Sequence, residues 1–577
     1  MGFYDAIRIG ASGAAEDFTV DRSLRFNDDD NAYLNRTPGG ASNRTTFTLS
    51  VWLKRAFNLD EFQRIFEAGA DTSNRTYFTF DGDDKLEINH RDGGSEAVNL
   101  TTTAVFRDIS AWYHIVLAID TTQSTSSNRI KIYVNGTQQT DFDTSTYPSS
   151  SKELDINSTA VHYIGRSVNN TSKLDGYLAE VNFIDGQQLT PSSFAETNAT
   201  TGQWNPIDTS GLTFGTNGFR LKFADNSGTT ATTLGKDSSG NGNNFTPNNF
   251  SVSAGVGDDS LEDTPTNNFC TLNPLAMTTT GNVTPSNGNL DASFGSGSGG
   301  IAGTFAVSSG KWYWEITITA TSSARIDIGV IDDTFETYNG THRYNPGIDS
   351  KSYAYTSLGT KYNNNTDTSY GATYTTNDVI AIALDLDNGT ITFYKNNVSQ
   401  GQAFSGLTGG FLPGVGDGSS AGTHSISANF GQQGFTYTPP TDFKALNSAN
   451  LPDPTILLPN KHFNTLLYTG NGGTQSITGL DYQPDWVWIK RRNGTNSHQV
   501  YDAVRGAGKN IRADLNNTEV DQTAFNSFDS NGFELDGGTN SHNSSGNTYV
   551  AWNWNAGNTD GKTYTVKVVS DGGNKYR

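Results

Sequence analysis

The chain has 577 residues, room for three or four domains at ~150 residues each, and a formal charge of −21. That acidity excludes a nucleic-acid binder, which needs clustered Lys and Arg to neutralise phosphate, and equally a protein that docks on anionic lipid. Aromatic residues make up 11% and charged residues only 17%, the reverse of a disordered profile, and the single cysteine, Cys270, excludes an intrachain disulfide and a cysteine-based zinc site.

In chain order, residues 1–20 are small and mixed and cannot build a core. Phe3, Tyr4, Ile7 and Ile9 would anchor in a groove, so the segment reads as an arm for attachment to a partner or a sister subunit, with a contact-free leader as the alternative. The first six residues lack the basic and apolar regions of a signal peptide. No run of about 18 apolar residues occurs, which excludes insertion into a membrane by a helix.

Strand signals begin at Ser23 and repeat through residue 270. Phe47, Leu49, Val51 and Leu53 alternate on one face with Trp52 on the other, and Asn135-Gly136 after Tyr133-Val134 is a two-residue hairpin turn. Short strands separated by turn residues predict an all-β chain of tandem β-sandwiches. Residues 271–300 are nearly all Gly, Ser, Thr, Asn and Ala and read as a flexible connector. A second strand-rich block covers 301–450, and a third, rich in tryptophan, covers 451–577. In the third, Trp486, Trp488, Trp552 and Trp554 alternate on strands and read as core, and Thr563 to Val569 alternates again.

Two blocks, and the chain as a whole, carry a family resemblance. Trp112–Leu117, Ile130–Gly136, Tyr163–Arg166 and Asp175–Val181 resemble, in order and spacing, the laminin-G-like, concanavalin-A-type jelly roll. Lys311–Ile318, Ile326–Ile331, Asp378–Asn397 and Phe411–Val415 resemble the SPRY sandwich, which implies binding of partners through loops and no catalytic centre. In content and order the chain resembles tail-fibre-type proteins of marine bacteriophages, particularly cyanophages. That implies a virion location, other virion tail proteins as partners, a host-cell surface glycan or protein receptor, and a homotrimer.

Catalytic motifs are weak. Gly418-Ser419-Ser420-Ala421-Gly422 fits the nucleophile-elbow pattern but no helix follows it. A jelly-roll glycosidase needs two carboxylates on one cleft. On the strand Glu180 to Asp185 these two acids are five apart, and Asn182 stands where a third acid would be expected. The sequence therefore predicts no enzyme, with a virion-borne polysaccharide hydrolase and a purely structural capsid or tail-adaptor subunit as alternatives. No cofactor is expected except Ca²⁺, for which Asp28, Asp29 and Asp30 are the candidate ligands, against a solvated acidic turn. The Asp385 to Gly389 run fails the calcium-loop pattern and reads as a hairpin turn. Tyr338, Tyr344, Tyr362 and Tyr370, in the loop-rich stretch between two SPRY-like strands, are the candidate ligand-binding rings.

Overall fold

Alternating apolar residues bury one face of the central strands in the first block. The computed structural model describes residues 18–57, 61–199, 201–278, 283–297, 299–322, 325–334, 344–418, 422–452 and 456–556. Strand accounts for 45% of the structure and helix for 2%, so the chain is all-β, built of multiple antiparallel sheets. Phe3, Tyr4, Ile7, Ile9, Tyr338, residues 419–421 of the elbow-like motif and the Thr563–Val569 run lie outside the described residues.

The first sandwich packs two eight-stranded sheets face to face. One runs, across neighbouring strands, through Ile130–Val134, Tyr113–Asp120, Thr46–Arg55, Gly176–Asp185 and Ser23–Phe26. The other runs through Ser95–Val105, Lys85–Asp92, Arg75–Phe80, Gln63–Gly69, His162–Ile164 and Tyr33–Arg36. Leu49, Val51 and Leu53 meet Phe66, Phe78 and Ile88 in the core between them, while Trp52 points the other way, as its phase predicts. Asn135 and Gly136 both take positive φ, +48° and +80°, which a two-residue primed turn requires. On the strand Gly176–Asp185 a bulge at Glu180, φ +44°, shifts the alternation by one, so Leu178 and Val181 both enter the core.

Residues 271–300 differ from expectation. They carry the strands Leu272–Met277, Val283–Ser286 and Asp291–Phe294 and the start of Gly299–Gly303, all within the second sandwich. The glycines there serve close approach rather than flexibility: a Cβ on Gly300 would lie 2.1 Å from the Tyr344 carbonyl oxygen, and one on Gly303 2.9 Å from the Cys270 sulfur. Composition alone cannot separate a glycine that loosens a loop from one that lets two strands pack.

The second sandwich has a seven-stranded and an eight-stranded sheet. Trp314, Ile316 and Ile318 of Lys311–Thr321 face Ile328, Val330 and Tyr355 across its core. The hairpin at 385–390 forms as read: Asp385 accepts from the backbone and side-chain nitrogens of Asn388 at 3.0 and 2.8 Å, and Asp385 pairs with Thr390.

A buried seam joins the two sandwiches. Lys54, fully buried, pairs with Asp263 at 2.8 Å and donates to the Asn268 side chain at 2.8 Å and the Phe269 carbonyl at 3.0 Å. Asp263 also accepts from the Trp112 indole at 3.1 Å, and Trp52, Trp112, Tyr177, Leu261 and Leu290 form an apolar cluster around the pair.

The described C-terminal block, 456–556, is a smaller unit with its own core of Val487, Ile489, Tyr501, Phe525, Phe533 and Tyr549. Its four-stranded sheet runs Phe463–Thr469, Thr548–Trp554, Trp486–Arg491, Gln499–Asp502. The tryptophans do share one face, but it is the outward one. Trp486 is 44% exposed and Trp488, Trp552 and Trp554 are half-buried, because Val487, Ile489 and Ala551 take the inward positions.

Candidate functional site

The outward face of the first sandwich's second sheet holds a dense set of ligand-type side chains. Each of its strands alternates, so a core residue such as Leu34, Ile164, Phe78, Ile88 or Leu100 leaves its neighbour pointing away from the core. Register aligns those neighbours into one row across six strands: Asn35, Tyr163, Glu67, Tyr77, Asn89 and Asn99.

Charge fixes the row. Glu67, fully buried, takes Arg64 at 2.8 Å and Arg75 at 3.4 Å, and accepts from the Val168 backbone N–H at 3.0 Å. The same two guanidiniums lie 3.8 and 5.0 Å from the Tyr77 ring. Tyr77 donates its hydroxyl to Glu87 at 3.2 Å. Glu96 accepts from Asn89 at 2.8 Å and Asn99 at 3.2 Å. At the other end Arg166 stands 3.7 Å over the Tyr33 ring and 5.0 Å from the Tyr163 ring, and those two rings are 6.1 Å apart. Glu67, Arg64 and Asn89 form a buried floor, while Tyr33, Tyr163, Arg75, Arg91 and Arg166 are half-buried along it. Burial lowers the Arg64 pKa against the pull of Glu67, and burial raises Glu87 despite the hydrogen bonds from Tyr77 and Asn89. Rings that stack, amides that donate and accept, and guanidiniums held flat suit a polyhydroxylated ligand.

The residues singled out from sequence stand elsewhere. Tyr344 and Tyr362 are buried rather than displayed: the Tyr362 hydroxyl donates to Asn365 at 2.7 Å and Arg325 lies 4.1 Å over its ring. Tyr370 is half-buried against the second core, with its hydroxyl donated to the Gly401 carbonyl. These rings anchor loops, because a tyrosine set beside apolar strands lowers the free energy more by burying its body than by facing water. Asp28, Asp29 and Asp30 form a turn organised by its neighbours: Asn27 donates to Asp30 at 2.8 Å and accepts from the Asp29 backbone at 3.2 Å, and the Lys173 ammonium reaches the Asp28 carbonyl at 3.0 Å. Burial and Asp29 raise the Asp28 carboxyl. Among the described residues no group of three or more His, Cys, Asp or Glu side chains is placed to hold a metal ion.

On the Glu180 strand no acid faces an open cleft. Glu180 is buried against Arg220 at 2.8 Å, and Asp185 is buried accepting from Asn157 at 3.0 Å and the Asn217 backbone at 2.9 Å. Asn182 accepts from Thr209 at 2.8 Å. Among the described residues no helix is long and apolar enough to cross a membrane.

Sequence comparison agrees with the geometry. Residues 27–193 match the concanavalin A-like lectin/glucanase superfamily, residues 311–433 the SPRY domain, and residues 458–573 a domain of unknown function. The chain carries a concanavalin A-like domain and a SPRY domain. Among solved structures it is similar to the human HERC1 SPRY domain (22% identity over 27% of this chain and 96% of that one, TM-score 0.24). It is also similar to a SAP-like pentraxin of Limulus polyphemus (16%, 30% and 78%, TM-score 0.24) and to a putative carbohydrate binding protein from Bacteroides ovatus (18%, 41% and 60%, TM-score 0.27). The outward face described above belongs to the concanavalin A-like domain. Sequence reading missed Arg64, Glu67, Tyr77 and Asn89, although a signal was there: Arg75-x-Tyr77 and Glu87-x-Asn89-x-Arg91 place arginine, carboxylate, amide and ring at the polar phase of strands whose apolar phase is core.

Proposed function

We propose that this chain is a non-enzymatic recognition protein of a virion fibre or spike, which binds a host-cell surface glycan through the outward face of its concanavalin A-like domain. The observation that carries the reading is the row Asn35, Tyr163, Glu67, Tyr77, Asn89 and Asn99, which places rings and amides side by side on one sheet. The virion setting rests on the resemblance of the module order to tail fibres, and with it come a homotrimer and other tail proteins as partners. Avidity fits a shallow face of this kind, since tethered copies see further ligand groups at high effective concentration. The buried ion pair of Glu180 and the hydrogen-bonded Asp185 favour binding over hydrolysis.

The test is to present the full chain to a panel of bacterial surface polysaccharides, neutral and charged, and to assay the same mixtures for new reducing ends. Binding without release, lost on Tyr163→Ala, is the expected result. Release of reducing ends, or binding unaffected by Tyr163→Ala, overturns the reading.

A further inference from the structure

We infer that the glycan taken by this face is a polyanion, a polysaccharide bearing repeated carboxylate or sulfate groups. The inference rests on the reading of the face as a glycan site and adds the charge of its ligand.

The observation is a surplus of arginine in a chain whose net charge is −21. Arg64, Arg75, Arg91 and Arg166 share the face with Glu67, Glu87 and Glu96, and all three acids are already engaged. Glu67 is divided between Arg64 and Arg75, Glu87 accepts from Tyr77, and Glu96 accepts from two amides. Arg75 and Arg91 are direct cross-strand partners; Arg75 is paired to Glu67, and Arg91 has Glu96 opposite it on its other side without an ion pair to it. Arg91 and Arg166 make no ion pair or side-chain hydrogen bond among the described residues, and both are half-buried. Arg166 is in turn paired across the backbone with another cation, Lys173, whose ammonium is spent on the Asp28 carbonyl. One terminal nitrogen of Arg64, on the buried floor, also lacks a hydrogen-bond partner.

Arg91 and Arg166 thus hold half-buried guanidiniums that no carboxylate of the fold takes up, and a ligand can. Arginine is the side chain that grips carboxylate and sulfate-type oxyanions in a two-pronged geometry. Arg91 lies level with Gly69 and Arg166 level with Arg64, at opposite ends of strands separated by two others, roughly 20 Å apart at ordinary strand spacing and rise. A single small anion does not span that gap, whereas a chain of acidic sugars offers charges to both ends and hydroxyls to the tyrosines and amides between them.

The experiment uses the full chain with three probes: polygalacturonate for carboxylate, dextran sulfate for sulfate ester, and unmodified dextran as the neutral control. The expected result is binding of a polyanion and not of dextran, weakened at least tenfold by about 0.5 M salt. Arg91→Gln and Arg166→Gln should each weaken it about tenfold with the melting temperature unchanged. Which polyanion binds distinguishes carboxylate from sulfate. Binding of dextran alone overturns the charge inference and leaves the glycan reading standing. Polyanion binding that survives both substitutions overturns the inference by placing the contact elsewhere. Failure of all three probes overturns it, and the neutral members of the wider panel then decide the glycan reading separately.

Discussion

The outward faces of two sheets, one in the concanavalin A-like domain and one in the C-terminal unit, solve the same problem with opposite chemistry. Both belong to antiparallel sheets whose inward face is a conventional apolar core. On the first, outward positions hold Arg, Glu, Asn and Tyr, and the side chains are fixed by ion pairs and cation–ring contacts. On the second they hold Phe463, Trp486, Trp488, Trp552 and Trp554, fixed by ring packing: Trp488 meets Trp552 at 5.7 Å, Trp486 meets Trp554 at 6.0 Å, and Trp554 meets Phe463 at 4.8 Å. The backbone ladder is indifferent to this choice. What changes is how each face responds to salt, pH and truncation.

The largest effect is expected at Glu67. Glu67→Gln leaves Arg64 and Arg75 facing each other over Tyr77 without their shared carboxylate, and removing one partner from a buried pair costs about 3–5 kcal/mol. Urea denaturation followed by far-UV circular dichroism should show the first transition moved by that amount and the C-terminal unit untouched. A shift below about 1 kcal/mol would mean that the face is not held by charge.

Acid acts on the C-terminal unit through one nameable residue, and on the first sandwich through His90, His114 and His162, which burial lowers likewise. In the C-terminal unit His542 is buried, bonded to Tyr501 and to Thr539, and burial lowers its pKa from 6.5 to about 4. A base depressed in the folded state binds fewer protons than the unfolded chain between those values. Stability of this unit is therefore fully present above pH 6.5 and declines as pH falls toward 4, by on the order of 3 kcal/mol. Thermal melts across that window check the slope, and His542→Gln should flatten it whatever it does to the absolute stability.

A smaller effect belongs to the tryptophan face. Trp488→Ala removes the Trp552 contact and the indole hydrogen bond to His498, 2.9 Å, from a half-buried site, for about 1–2 kcal/mol. Tryptophan fluorescence should report the change, and added salt should leave it unaltered. The smallest effect is expected at Arg91. It has Arg75 opposite it on one side and Glu96 on the other, so Arg91→Gln removes a repulsion and an attraction of similar size and should leave the stability of the first sandwich unchanged to within a few tenths of a kcal/mol at low salt. Equal stability with and without Arg91 at high salt would complete the contrast.

Much of the fold was legible because period-two alternation is a property of the chain itself. Phe47 to Leu53 and the turn at Asn135-Gly136 announce their strands and hairpin without reference to anything distant. What failed depends on partners far along the chain. Gly300 is packed by the carbonyl of Tyr344, 44 residues away, so its composition looked like a linker's. The four tryptophans show the limit of alternation: it assigns them to one face but, with Val487 and Ile489 between them also apolar, cannot say which face is inside. The candidate tyrosines were chosen by loop position, and burial of Tyr344 and Tyr362 is decided by neighbouring strands that loop position does not encode. The arginine–tyrosine face was visible only as the polar half of strands already counted as core.

The seam between the two sandwiches bears on how such genes recombine. Lys54 lies early in the first sandwich, while its partners Asp263, Asn268 and the Phe269 carbonyl lie at the entrance to the second. A recombination crossover placed between the two β modules by sequence, within 271–287, would bring Lys54 and Asp263 along but replace Leu290 and the Gly288 carbonyl that receives the Tyr177 hydroxyl. Joined to a foreign second sandwich, Tyr177 would stay buried without that acceptor. The heritable cassette is consequently the pair of sandwiches together, and a shuffled library cut outside the pair should return folded proteins far more often than one cut inside it.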